Sequence, residues 1–194
     1  MEDKRFKLVI GAIFICLCSL GYAEPKRSAE SVVTRLKIST LEGELNCTLD
    51  RDKGVVPKIV EEIRAKRLDG SFVCRSVMDY FVQFGCRKST MSNIERKPLG
   101  FQLPKTGRHN KVGVLSAVKG SGAFGRLQLV VMLRPANWLD GTQTVIGHCG
   151  DVGLVRRLAR KPTVAGGIPR KPTEIVTMEI LGPDSSKRRN GLAK

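Results

Sequence analysis

Residues 73–85, VCRSVMDYFVQFG, limit what this chain can fold into. Two short apolar runs flank Met78-Asp79, and both are rich in β-branched and aromatic side chains. Such runs are strands, and a break this short folds them back into an antiparallel hairpin. Arg75 and Gln83 lie eight residues apart. Side chains alternate between the faces of a strand, so the hairpin can set this pair on one face. An ordinary hairpin, with a surface arginine and a glutamine at the core edge, has the same spacing.

The rest of the chain repeats the β signal. Residues 32–49 alternate through Leu36, Ile38, Leu41 and Leu45, with Glu42-Gly43-Glu44 as the turn. Further strands are expected at 111–118, 127–133, 142–149 and 175–181. Pro57 opens a helix, since its missing donor is harmless in a first turn. Val56, Ile59, Val60 and Ile63 form its apolar face and Gly70 ends it. That face is expected to cover a barrel mouth; a partner-binding surface is the alternative. A second helix runs from Asp151, a capping residue, to Pro162, with Val152, Val155 and Leu158 on one side. Residues 87–112 lack periodicity and carry Arg87, Lys88, Arg96, Lys97, Lys105, Arg108 and Lys111. They form either a solvated loop or, across 87–111, a basic site for an acidic protein. The glycine-rich turn at 119–125 lacks the Gly-Lys-Ser/Thr ending of a phosphate loop. Gln128 interrupts a strong β run and needs partners if buried.

The N-terminus is a targeting segment. Lys4, Arg5 and Lys7 precede an apolar run over 8–20, and Gly21 and Ala23 are small. This is the pattern of a secretory signal peptide cut after Ala23. The run is short of the roughly 20 residues a spanning helix needs, so a membrane anchor over 8–23 is the second reading. Residues 24–31 are a flexible lead-in, 32–181 the folded domain and 182–194 a basic flexible tail. Such a product belongs to the secretory pathway, in the endoplasmic reticulum lumen or outside the cell. The terminal Gly-Leu-Ala-Lys carries no Lys-Asp-Glu-Leu-like retention signal. The net charge is +16, and loss of 1–23 removes three basic and two acidic groups, leaving +15. That charge lacks aromatic interleaving, which argues against nucleic acid as a partner. Cys47, Cys74, Cys86 and Cys149 remain after cleavage and allow three complete pairings, or four buried thiols. Cys74 and Cys86 bracket the hairpin and can face each other. Asn46-Cys47-Thr48 is a glycosylation sequon. With two histidines far apart, His109 and His148, no metal cluster is expected and no cofactor is implied.

Several pieces together resemble the cyclophilin-type peptidyl-prolyl isomerases. The family pattern Phe-His-Arg-Val, a turn, Gly-Phe, two apolar residues and Gln-Gly-Gly falls on 72–85, with its Arg and Gln at Arg75 and Gln83. Gly113-Val114-Leu115-Ser116 resembles the Gly-Ile-Leu-Ser strand, and Gln128 the Gln of Gln-Phe-Phe. Trp138-Leu139-Asp140-Gly141 with Val145-Ile146-Gly147 resembles Trp-Leu-Asp-Gly with Val-Phe-Gly. The resemblance implies a mainly β fold: a closed eight-stranded antiparallel barrel capped by two α-helices, working as a monomer.

It also implies a cofactor-free isomerase acting on proline-containing peptides or protein clients and assisting folding. Arg75 and Gln83 are then the catalytic pair. Gln128 binds the peptide backbone, and Phe81, Val130, Trp138 and Leu139 line the proline pocket. Arg75 favours the twisted bond and Gln83 orients Arg75. The departures fall on the pocket: Cys74 replaces a His, Asp79-Tyr80 a Gly-Phe, Phe81 a Met, Val130 a Phe and Gln143 a His. The expected activity is therefore weak or narrow in specificity. The alternative is a catalytically degenerate peptide- or protein-binding module on the same barrel.

Overall fold

The computed structural model describes residues 34–50, 53–87, 99–120 and 126–182. The signal, lead-in and tail readings, and residues 88–98 of the basic loop, fall outside these residues.

Among the described residues ten strands and two α-helices follow in chain order. They are β1 (Thr34–Thr40), β2 (Gly43–Leu49), α1 (Val56–Arg64), β3 (Ser71–Val77), β4 (Phe81–Cys86), β5 (Val114–Lys119), β6 (Leu127–Met132), β7 (Thr144–Cys149), α2 (Gly153–Ala159), β8 (Thr163–Val164), β9 (Ile168–Pro169) and β10 (Glu174–Leu181). Eight of the strands close a barrel in the order β1-β10-β3-β4-β6-β5-β7-β2, with antiparallel pairings. β8 and β9 make a separate two-stranded flap. The expected closed eight-stranded barrel with two helices is the fold observed.

Alternation builds the interior. In β1, Leu36 and Ile38 face inward, and in β2 Leu45, Cys47 and Leu49 do. In β4 and β6 the inward residues are Val82, Phe84, Leu129 and Val131. The helices plug the remaining openings. α1 buries Val56, Ile59 and Ile63, and α2 buries Leu154, Val155, Leu158 and Ala159 into the same core. α1 is shorter than expected, ending at Arg64. The first hairpin turns at Leu41-Glu42 rather than one residue later. Val152, not Asp151, is the N-cap of α2; Asp151, one residue earlier, accepts a hydrogen bond from Gly153 N at 2.7 Å.

A second, smaller apolar cluster lies on the outside of the barrel wall. Val114, Val130, Met132, Ala136 and Val145 are buried there, with Phe81, Val118 and Leu139 packed on them. The described part of the basic segment helps cover it. Leu99 is buried, and Phe101, Leu103 and Val112 pack on the main core. Thr106 accepts a backbone bond from Val145 at 2.8 Å, and His109 is wholly buried. Over 99–113 the stretch is an irregular, largely exposed loop, but Leu99 and His109 anchor it to the barrel. Side chains that give no periodic pattern still dock one by one, which a periodicity argument cannot see.

Candidate functional site: a groove on the barrel wall

The hairpin of β3 and β4 supplies the first wall of a groove of about 710 Å³. Arg75 pairs directly with Gln83 across the two strands, and both line the groove. The shared face expected from their spacing is the face observed. The turn sets the register of the hairpin: Val77 pairs with Phe81, Ser76 with Val82 and Arg75 with Gln83 without a break. Asp79 takes φ 59 in the turn, a left-handed conformation an aspartate tolerates and a glycine prefers. The register then slips between Val73 and Arg75, so Cys74 has no opposite number. A bulge of this kind bends a strand and re-aims its side chains. Cys74 and Arg75 both line the groove as a result.

β6 forms the floor. Gln83 lies opposite Val130 and Phe81 opposite Met132. Gln128, Val130 and Met132 share the outward face and line the groove. Trp138 and Leu139 come from a short 3-10 turn after β6 and stand at the rim. The indole is exposed and lies 5.9 Å from the Tyr80 ring, a tilted aromatic pair. All seven residues expected at the site, Arg75, Gln83, Phe81, Gln128, Val130, Trp138 and Leu139, thus lie around one groove.

Their contacts differ from expectation in one respect. Gln83 does not hold Arg75: its Nε2 donates to Gln128 Oε1 at 2.6 Å. Arg75 is held by the flap instead. Its Nε donates to the Gly166 carbonyl at 2.7 Å, and its guanidinium lies 5.5 Å from the centre of the Phe81 ring. The flap reaches this close because of Gly166 and Gly167, at φ 78 and 77. A Cβ at Gly167 would stand 2.9 Å from the Ser76 carbonyl oxygen. A contact 91 residues away in sequence leaves no mark in the hairpin itself.

Further residues complete the groove. Cys74 and Cys86 form a disulfide that lines it. Gln128 Nε2 donates to Cys86 Sγ at 3.2 Å. Lys119 and Gly120 close one end, and Gln143 lies deeper, its Oε1 buried with no hydrogen-bond partner. No acidic side chain lines the groove among the described residues. Among those residues no three His, Cys, Asp or Glu side chains gather to hold a metal.

A second polar cluster imitates a hydrolase triad. His109 Nε2 is 2.8 Å from Ser116 Oγ, and its Nδ1 donates to Asp140 Oδ1 at 3.1 Å. A serine, imidazole and carboxylate in this order can make a nucleophile. Here Ser116 and His109 are both 0% exposed, so no substrate reaches the hydroxyl. The cluster is a pin between β5, the 99–113 segment and the turn bearing Trp138. Asp140 also accepts from His109 N at 2.7 Å. The His109 backbone N–H, then its side chain, holds the Asp140 carboxyl below the ordinary range. The sequence hinted at this only through the lone His109.

The family model for cyclophilin-type peptidyl-prolyl cis-trans isomerases matches residues 35–180, the whole barrel. The chain belongs to that family. Among curated cyclophilins it is similar to peptidyl-prolyl cis-trans isomerase-like 1 of Neurospora crassa, at 26% identity over 117 residues, 58% of this chain and 72% of that one. Among solved cyclophilins it resembles a Cryptosporidium parvum enzyme, with TM-score 0.60 and 16% identity over 77% of this chain and 98% of that one. The same enzyme's structure in the presence of the dipeptide Ala-Pro gives TM-score 0.58 at 15% identity, over 76% and 98%. At that identity the likeness is one of fold. The cyclophilin barrel here carries its groove on the outer face of β3, β4, β6 and β5, not in its interior.

Proposed function

We propose that this cyclophilin binds proline-containing peptide segments in the groove and catalyses cis–trans isomerisation of the bond before the proline, in the secretory pathway. The carrying observation is Arg75, whose guanidinium stands in a groove floored by Phe81, Val130 and Met132. The barrier to that rotation is about 18–20 kcal/mol, because the C–N bond is partly double. A catalyst lowers it by binding the twisted bond more tightly than either planar form. Twisting localises a lone pair on the proline nitrogen. A fixed cation beside that nitrogen stabilises the twisted state, and a guanidinium keeps its charge at any working pH.

The other groove residues fit supporting roles. The apolar floor takes the pyrrolidine ring, with Leu139 and Trp138 along its edge. Gln128, set by Gln83, offers its amide to the peptide backbone. No cofactor is needed. Two disulfides, Cys47–Cys149 and Cys74–Cys86, suit an oxidising compartment and support the secretory reading of residues 1–23. Asn46 is exposed on β2, where its sequon can be reached.

A second reading, a peptide-binding module without catalysis, draws on the Gln83–Gln128 bond, which leaves Arg75 without the glutamine expected to orient it. Exchange NMR of a short Xaa-Pro peptide separates the two. Catalysis predicts cis–trans exchange that is enhanced by the protein and lost with Arg75→Ala. Peptide shifts without exchange would leave the binding module, and no shifts at all would remove both.

A further inference from the structure

Two disulfides cross this barrel wall, and their surroundings are opposite. Cys47 and Cys149 are 3% and 0% exposed, sealed in the core. Cys74 and Cys86 are half-buried and line the groove. Their two sulfurs also differ from each other. Cys86 Sγ accepts a hydrogen bond from Gln128 Nε2 at 3.2 Å, and Gln83 holds the other end of that amide at 2.6 Å. Among the described residues Cys74 Sγ has no hydrogen-bond donor: the Phe72 carbonyl oxygen stands 3.9 Å away and cannot stabilise negative charge. Arg75 and Lys119 bring positive charge to the groove, and no acidic side chain among the described residues lines it.

We propose that Cys74–Cys86 is a thiol–disulfide exchange site that acts on cysteine-bearing peptides held in the groove. A thiolate is the attacking species in such exchange, and a stabilised leaving thiolate speeds it. The cationic groove draws the peptide thiolate, which attacks Cys74 Sγ. A bond forms between the peptide sulfur and Cys74 as the Cys74–Cys86 bond breaks. The electron pair leaves on Cys86 Sγ, held by the Gln128 N–H, and solvent then protonates it. A second peptide thiolate resolves the mixed disulfide: it bonds to the first peptide's sulfur and expels Cys74 as a thiolate. The peptides are oxidised to their disulfide, and the two protein cysteines are reduced. The site rests on the reading of the groove as a peptide groove.

The test uses the full chain and an acetylated peptide with a cysteine within two residues of its proline. Reactions are quenched with acid, alkylated, and mapped by mass spectrometry after digestion. The peptide adduct is expected on Cys74, forming about tenfold faster than with glutathione at equal thiolate concentration. Cys47 and Cys149 stay paired. Replacing the peptide's proline by alanine removes the advantage over glutathione. Gln128→Leu narrows the preference for Cys74 over Cys86 about fivefold, as expected for one lost hydrogen bond. No adduct, equal reaction at all four cysteines, preference for Cys86, or no gain over glutathione would each overturn the proposal. The same peptide with serine for cysteine is followed by exchange NMR. Isomerisation without an adduct on the cysteine peptide removes exchange and leaves the isomerase. A Cys74 adduct without isomerisation removes the isomerase and leaves exchange.

Discussion

Arg75 shows how much one side chain depends on what surrounds it. Its cross-strand partner is Gln83, yet it bonds the Gly166 carbonyl and stacks over Phe81. Arg75→Lys keeps a charge but loses the forked donors and the planar stacking face. We expect it to lower the catalysed exchange rate by at least tenfold while leaving the unfolding free energy from urea titration within about 0.5 kcal/mol of wild type, as for exposed substitutions. A rate equal to wild type would show that charge alone suffices. Val130 carries the opposite prediction. Val130→Phe adds on the order of 40 Å² of apolar contact to a bound ring, about 1 kcal/mol at 25 cal/mol per Å². Affinity for a prolyl peptide should rise about fivefold in titration calorimetry, and an unchanged affinity would mean the ring does not sit there.

At the scale of elements, the flap and the hairpin form one unit. Gly167 has φ 77, and a Cβ there would press on the Ser76 carbonyl at 2.9 Å. Gly167→Ala should cost about 1–2 kcal/mol from the left-handed backbone alone and should push the flap away from Arg75. Isomerisation is then expected to fall more than stability does. Thermal melts and exchange rates on one sample check this, and a loss of stability with full activity would separate the flap from the site. The hairpin was legible in advance because 73–85 is local: periodicity, turn and pairing lie within thirteen residues. The flap was not, since β8 and β9 are two residues each and carry no period to read. The docked 99–113 segment was missed for a related reason. Its anchors follow no period: Leu99, Phe101 and Leu103 dock on the main core and His109 bonds Ser116.

At the scale of the molecule, closure and acidity set stability. Cys47 and Cys149 pair across β2 and β7 and are 102 residues apart in sequence. Closing a loop of that length should stabilise the fold by about 2–4 kcal/mol, chiefly by restricting the unfolded chain. Replacing both by alanine should lower the denaturant midpoint accordingly, and an unchanged midpoint would mean the sheet alone closes the barrel. Acid acts through carboxylates held below their ordinary values. Burial pushes Glu42 up, but hydrogen bonds from Lys161 and Thr173 outweigh it and leave it lowered. Asp140 is lowered by His109. The unfolded chain, with the higher values, takes up protons first as pH falls. The stability these groups contribute is therefore complete above the ordinary carboxylate range near 4 and is lost below it. Asp140→Asn should reduce stability at pH 7 and flatten its fall between about pH 4 and pH 2. Parallel pH curves for the two proteins would refute this role for Asp140.

By itself the sequence determined the eight barrel strands, the two helices and the hairpin that sets Arg75 opposite Gln83. These are consequences of alternation, turn chemistry and local spacing, which a chain carries in its linear order. The tertiary structure alone decided what those residues touch. It paired Cys74 with Cys86 inside the groove, turned Gln83 to Gln128, and brought Gly166 to Arg75 from the far side of a helix. Such contacts arise only when the sheet has curled into a barrel and distant segments compete for the same few donors and acceptors. Sequence distance says nothing of which partner wins.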